Sequence, residues 1–133
     1  GKIIKFLPEF DRKVEYIGDF KNGLREGYGK SIVITGPSKG SSYEGEFQNN
    51  QRHGQGSMEM KDGFSYIGDW TSGEMSGKGI AMYANGDRYE GYFLNGKREG
   101  KGVMTFQDGK IIDAIWKDGK EIQTDTNSSV ERD

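Results

Sequence analysis

The residues that could act on a substrate are few, and their spacing does not group them for chemistry. His53 is the only histidine, and it precedes Gly54 at a position that recurs along the chain as Glu26, Ser76 and Glu99. A general base needs a neighbour that tunes its proton affinity; His53 is expected in a solvated turn, without one. Glu44, Glu46, Asp69 and Glu90 fall at every second position of alternating segments, which predicts a wet strand face rather than an acid and base pair. The chain has no cysteine, so it offers no thiol nucleophile, disulfide or thiolate ligand. No catalytic residue, metal site or cofactor is expected, and the chain is read as a non-enzyme.

Phosphate motifs arise by chance in a glycine-rich chain. Gly91-Tyr-Phe-Leu-Asn-Gly96-Lys97 matches most of a phosphate-binding loop, but Arg98 stands where a hydroxyl residue must hold magnesium. The G-x-G pairs lack the third glycine and the following helix of a dinucleotide fold, so nucleotide binding is rejected. Nucleic acid is rejected too, because the net charge is −2, the pI is about 5.5 and no basic face is visible. The best-grouped cations are Lys97, Arg98 and Lys101, interrupted by Glu99. They are the candidate for an anionic lipid surface, where each exposed cation contributes about 1 kcal/mol.

The elements that would position any site follow from a repeat. Tyr43-Glu-Gly45-Glu-Phe47, Tyr66-Ile-Gly68-Asp-Trp70 and Tyr89-Glu-Gly91-Tyr-Phe93 recur every 23 residues, and a degenerate copy, Ile112-Asp-Ala114-Ile-Trp116, follows at the same interval. Tyr16-Ile-Gly18-Asp-Phe20 precedes by 27, the extra residues lying in a lengthened loop from Gly36 to Ser42. A second signature follows each block as Gly27-Tyr-Gly29, Gly54-Gln-Gly56, Gly77-Lys-Gly79 and Gly100-Lys-Gly102.

Both halves alternate with a period of two, the pattern of strands with one buried and one wet face. Asn22-Gly23 and Asn95-Gly96 within repeats, and Asp62-Gly63, Asn85-Gly86 and Asp108-Gly109 between them, carry the residues that tight turns require. Every repeat is therefore a hairpin feeding the next. The fold expected is all-β, a single-layer twisted array of stacked antiparallel hairpins, with eight strands spanning roughly 40 Å. Glycine weakens a strand interior, so Gly18, Gly29, Gly45, Gly56, Gly68, Gly79, Gly91 and Gly102 need a packing reason. Phe20, Phe47, Trp70, Phe93 and Trp116 are read as the structural rings, the last four lying across the G-x-G glycines.

These phased residues resemble the MORN repeat family from Tyr16 to about Gly119. The resemblance implies a hairpin-repeat solenoid that links components of cytoskeletal, ciliary or membrane-junction assemblies, often as a dimer. It also admits binding to anionic phospholipid, or service as a regulatory segment of a larger enzyme.

The chain divides into an N-terminal cap or partial repeat over 1–15, repeats over 16–42, 43–65, 66–88 and 89–111, a partial repeat over 112–119, and a polar, disordered tail over 120–133. Pro8 is expected to end the strand of the cap. No apolar stretch approaches the roughly 20 residues that span a bilayer, which favours a cytoplasmic location with cytoskeletal or ciliary association. Tyr16, Tyr43, Tyr66 and Tyr89, joined by Tyr83 and Phe106, are expected to line an aromatic groove that takes an extended or helical segment of another protein. The alternative is that these tyrosines are core, since a single layer has little else to bury. Self-association through the sheet edges into a homodimer fits the same architecture.

Overall fold

Pairs of residues at positive φ fold the chain into hairpins. Asn22-Gly23, Asn49-Asn50, Ser72-Gly73, Asn95-Gly96 and Asp118-Gly119 have φ values from 49° to 87°, as two-residue turns matched to strand twist require. Wider turns join successive hairpins: the N–H groups of Met60, Tyr83 and Phe106 donate to the carbonyls of Phe64, Asp87 and Lys110 at 2.7 to 2.8 Å.

The computed structural model describes residues 3–9 and 12–124, with side chains over 12–123. The strands are β1 (Ile3–Glu9), β2 (Arg12–Lys21), β3 (Leu24–Val33), β4 (Ser42–Gln48), β5 (Gln51–Glu59), β6 (Ser65–Thr71), β7 (Glu74–Met82), β8 (Arg88–Leu94), β9 (Lys97–Thr105), β10 (Ile111–Lys117) and β11 (Lys120–Thr124). They form one open sheet in chain order, each antiparallel to its neighbours. This is the single-layer, all-β array of hairpins that the repeat spacing predicts.

Its ends differ from expectation. Eleven strands are present among the described residues: β2 to β9 are the eight of the four repeats, and β1, β10 and β11 flank them. Pro8 does not end β1, which pairs with β2 as far as Glu9, Pro8 facing Lys13; an edge strand tolerates the missing N–H on its open side. Because β2 begins at Arg12, a boundary at Tyr16 would cut through a strand. At the other end, the Asp118-Gly119 turn returns β11 along β10 as far as Thr124, so a hairpin is completed where a tail from 120 was expected. Residues 125–133 of that tail lie outside the described residues.

The core is one side chain deep. Gly18, Gly29, Gly45, Gly56, Gly68, Gly79, Gly91 and Gly102 face one another in a single row across the sheet, which ends on Ala114. Each repeat tyrosine lies over the glycines of its own hairpin. A Cβ on Gly18 would come within 2.6 Å of the Tyr16 hydroxyl, and Gly29, Gly56, Gly79 and Gly102 are covered still more closely by Tyr16, Tyr43, Tyr66 and Tyr89. Gly29, Gly56, Gly79 and Gly102 admit a ring, whereas Gly45, Gly68 and Gly91 are crowded first by the backbone of the facing strand.

Each tyrosine is bracketed edge-on by two further rings. Tyr43 meets Phe47 of its own repeat at 5.1 Å and Trp70 of the next at 5.2 Å, and Tyr66 meets Trp70 and Phe93 at 5.3 and 5.1 Å. Tyr16 and Tyr89 do the same with Phe20 and Phe47, and with Phe93 and Trp116. Such pairs add about 0.5–1.5 kcal/mol each beyond burial. The expected assignment of rings is therefore reversed: tyrosine covers the glycines, and phenylalanine or tryptophan brackets tyrosine. The indoles do reach the glycine row, since Trp70 and Trp116 Nε1 donate to the carbonyls of Gly56 and Gly102 at 3.0 Å.

Candidate interaction surface

The second strand of each repeat hairpin departs from simple alternation. Between Gly18 and Phe20 the partner strand steps from Gly29 to Arg25, four residues opposite two, and the same bulge recurs opposite Glu46, Asp69 and Tyr92. Gly27, Gly54, Gly77 and Gly100 absorb it with φ of 65° to 105°, which side chains disfavour. The two glycines of each G-x-G thus have separate causes, one conformational and one steric. The tyrosine hydroxyls donate into the bulges, to the carbonyls of Asp19, Glu46, Asp69 and Tyr92 at 2.8 to 3.0 Å. Carboxylates of Glu46 and Asp69 accept from the N–H groups of Gln55 and Lys78 at 2.8 and 3.0 Å, so these two close the bulge.

The bulge sets Arg25, Arg52, Met75 and Arg98 opposite Phe20, Phe47, Trp70 and Phe93. The three guanidinium groups lie over the ring of the following repeat, at 5.1 Å from Phe47, 4.8 Å from Trp70 and 4.9 Å from Trp116, where cation–π attraction operates. Each also donates through Nη2 to a carbonyl of the next turn: Arg25 to Asn50 and Arg52 to Gly73 at 2.9 Å, and Arg98 to Gly119. The backbone N–H groups of Asn50, Gly73, Gly96 and Gly119 return bonds to residues 25, 52, 75 and 98 at 2.9 to 3.0 Å. Sequence reasoning missed these latches, although the arginines share one phase of the repeat.

Above this floor a row of open cavities crosses the core face. One of about 430 Å³ lies by the long loop, lined by Arg12, Pro37, Ser38, Ser41, Met60 and Lys61; its neighbour, about 350 Å³, adds Ser31 and Met58. The next, about 280 Å³, lies over Arg25, Ser31 and Arg52, and another of about 240 Å³ lies between Phe64, Met75, Tyr83 and Arg98. The opposite face carries exposed Ile67 and Met82 around a cavity of about 460 Å³ that also touches Ile80.

The expected site residues divide. Tyr16, Tyr43, Tyr66 and Tyr89 are at most 2% exposed and belong to the core, because rings before and behind and the glycines beneath enclose them; they do not form an exposed groove. Phe47, Trp70, Phe93 and Trp116 are 3% to 5% exposed. Tyr83 is half-buried and lines a cavity, its hydroxyl accepting from Arg98 Nη1 at 2.9 Å. Phe106 is half-buried against the core. His53 sits in β5, not in a turn, and is half-buried. Lys97, Arg98 and Lys101 do not make one patch: Arg98 is stacked over Trp116, while Lys101 pairs with Ile115 on the opposite face. Among the described residues, no three His, Asp or Glu side chains are placed to hold a metal ion, and no helix is long and apolar enough to cross a membrane.

Burial also shows in the phenols. Tyr66 is pushed up to about 12 by burial, the Asp69 carboxylate adding to it, and Tyr89 to about 12 by burial against the opposing pull of Arg98. Tyr16 and Tyr43 are raised from the same first cause, with Arg25 and Arg52 opposing.

No curated protein matches the chain. The family model for the MORN repeat matches residues 16–32, 43–64, 66–88 and 89–111, more than half of the chain and the same four units that carry the tyrosine, the glycine row and the bulge. The chain belongs to the MORN-repeat family, a non-catalytic repeat type that generally serves interaction with proteins or membranes.

Proposed function

We propose that the chain is a non-catalytic scaffold whose core face takes an extended segment of a partner protein along the row of cavities. The observation that carries this reading is the placement of those cavities over a stacked, latched floor, with the phase-equivalent positions Ser31, Met58, Ala81 and Met104 beside successive tyrosines. Repeat arrays present such surfaces to elongated partners, each repeat contributing a similar set of contacts. A cytoskeletal or ciliary setting, and pairing of two copies through the sheet edges, belong to the same proposal and rest on family resemblance. Membrane lipid is the weaker alternative, because Lys101 lies on the face opposite Lys97 and Arg98.

Ser31→Met tests it. Methionine already occupies this phase at Met58 and Met104, so the fold should persist while the cavities at Ser31 fill. A partner obtained by affinity capture from the source cell should bind the variant at least about tenfold more weakly, a loss of roughly 1.4 kcal/mol. Ile67→Ser on the other face should leave binding unchanged; the reverse pattern would overturn the proposal.

A further inference from the structure

The phase that stacks on the next ring reads Arg25, Arg52, Met75 and Arg98, so the third repeat lacks a guanidinium. The cavity over Phe93 and Gly96 is the repeat equivalent of the one over Phe47 and Asn50: Met75 replaces Arg25, Lys97 replaces Gln51, and Arg98 replaces Arg52. One guanidinium of the floor is thereby replaced by a thioether, and Phe64 and Tyr83, whose rings meet at 5.5 Å, stand as apolar walls.

Two cations, Lys97 and Arg98, border this space. Arg98 gives Nη1 to the Tyr83 hydroxyl and Nη2 to the Gly119 carbonyl, while its Nε is buried with no hydrogen-bond partner. No ion pair engages Arg98 among the described residues. A buried donor without an acceptor is unfavourable, and a carboxylate entering the cavity would supply the acceptor. A partner cation, though it could imitate the missing arginine, would meet Arg98 and Lys97. The Glu74 carboxylate lies beside Gly96 at the turn and is not part of the lining.

Resting on the core face being the interaction surface, we infer that this cavity is a specificity subsite for an acidic segment of a partner protein, in which an aliphatic or aromatic side chain adjoins a carboxylate. The apolar side chain packs among Met75, Phe64 and Tyr83, and the carboxylate accepts from Arg98 Nε. Repeats one and two, with Arg25 in place of Met75, do not make this selection.

The five methionines give a direct test on the whole chain. The ¹³C-methyl spectrum is recorded during titration with three capped peptides that differ only in a Leu-Asp, Leu-Asn or Leu-Lys core. The Met75 methyl should shift with Leu-Asp, and at least tenfold higher concentrations should be needed with the other two. Met75→Arg, which repeats what Arg25 and Arg52 already do in this fold, should weaken the Leu-Asp peptide at least tenfold by fluorescence anisotropy. A Met75 methyl that does not move, or moves equally with Leu-Lys, overturns the subsite. Shifts confined to Met58 and Met60 also overturn it while leaving the core-face reading intact, whereas shifts confined to Met82 overturn both.

Discussion

The ring of Tyr89 lies so close over Gly102 that no side chain fits between them. Nothing else within 4 Å crowds that glycine more closely than this ring, so the clash is a property of one pair. Gly102→Ala should cost about 1–3 kcal/mol by overpacking. Tyr89→Leu should cost about 2–4 kcal/mol for the lost ring. Combined, the two should fall short of additivity by at least about 1 kcal/mol, as read from urea midpoints. Strict additivity would mean that the ring does not press on the glycine.

Trp70 can be dissected because the repeat itself offers phenylalanine at its phase, in Phe47 and Phe93. Trp70→Phe should cost about 1 kcal/mol, chiefly the bond from Nε1 to the Gly56 carbonyl. Trp70→Ala should cost about 3–5 kcal/mol. Tyr66→Ala belongs with the second class, since Tyr66 is 1% exposed. Thermal melts of the three variants should rank the phenylalanine variant well above both alanine variants.

Arg52 latches the Gly73 turn and covers Trp70. Arg52→Lys keeps the charge but cannot stack a planar group while reaching the carbonyl, so it should cost about 1 kcal/mol. Arg52→Met, with the precedent of Met75, should cost no more than that. A lysine variant as stable as wild type would show that charge alone suffices.

The buried phenols make stability fall in alkali. Their folded values lie above the ordinary value near 10, so between pH 10 and 12 the unfolded chain releases protons that the folded chain keeps. The stabilisation is complete below pH 10, declines as pH rises toward 12, and levels off above. Urea midpoints should be flat from pH 8 to 9 and drop steadily at pH 10.5 and 11.5. A profile flat to pH 11.5 would mean that the rings titrate as exposed groups.

Much of the fold was legible because turns and alternation are local. The spacing of Tyr43, Tyr66 and Tyr89 and the positive-φ pairs such as Asn95-Gly96 specify hairpins without knowledge of packing. Alternation places Tyr43, Gly45 and Phe47 on one face, but not which ring lies over which glycine; that depends on the bulge at Gly54, which a period of two does not encode. Reading tyrosine as a groove residue rests on its enrichment at interfaces, yet the Tyr43 hydroxyl is satisfied inside, on the Glu46 carbonyl. Arg25, Arg52 and Arg98 share one phase of the repeat, but their stacking on the next ring depends on the bulge, which the phase alone does not encode. β11 was missed because Glu121 to Thr124 is polar, although Asp118-Gly119 before it is a hairpin signal.

The face that the partner touches separates the core-face site from its alternative. A benzophenone amino acid placed at residue 31 on the core face, or at residue 67 on the opposite face, should be activated in the presence of the captured partner. A crosslinked product is expected from position 31 and none from position 67. Crosslinking from position 67 alone would contradict the core-face site and move the interaction to the face around Ile67, Ile80 and Met82.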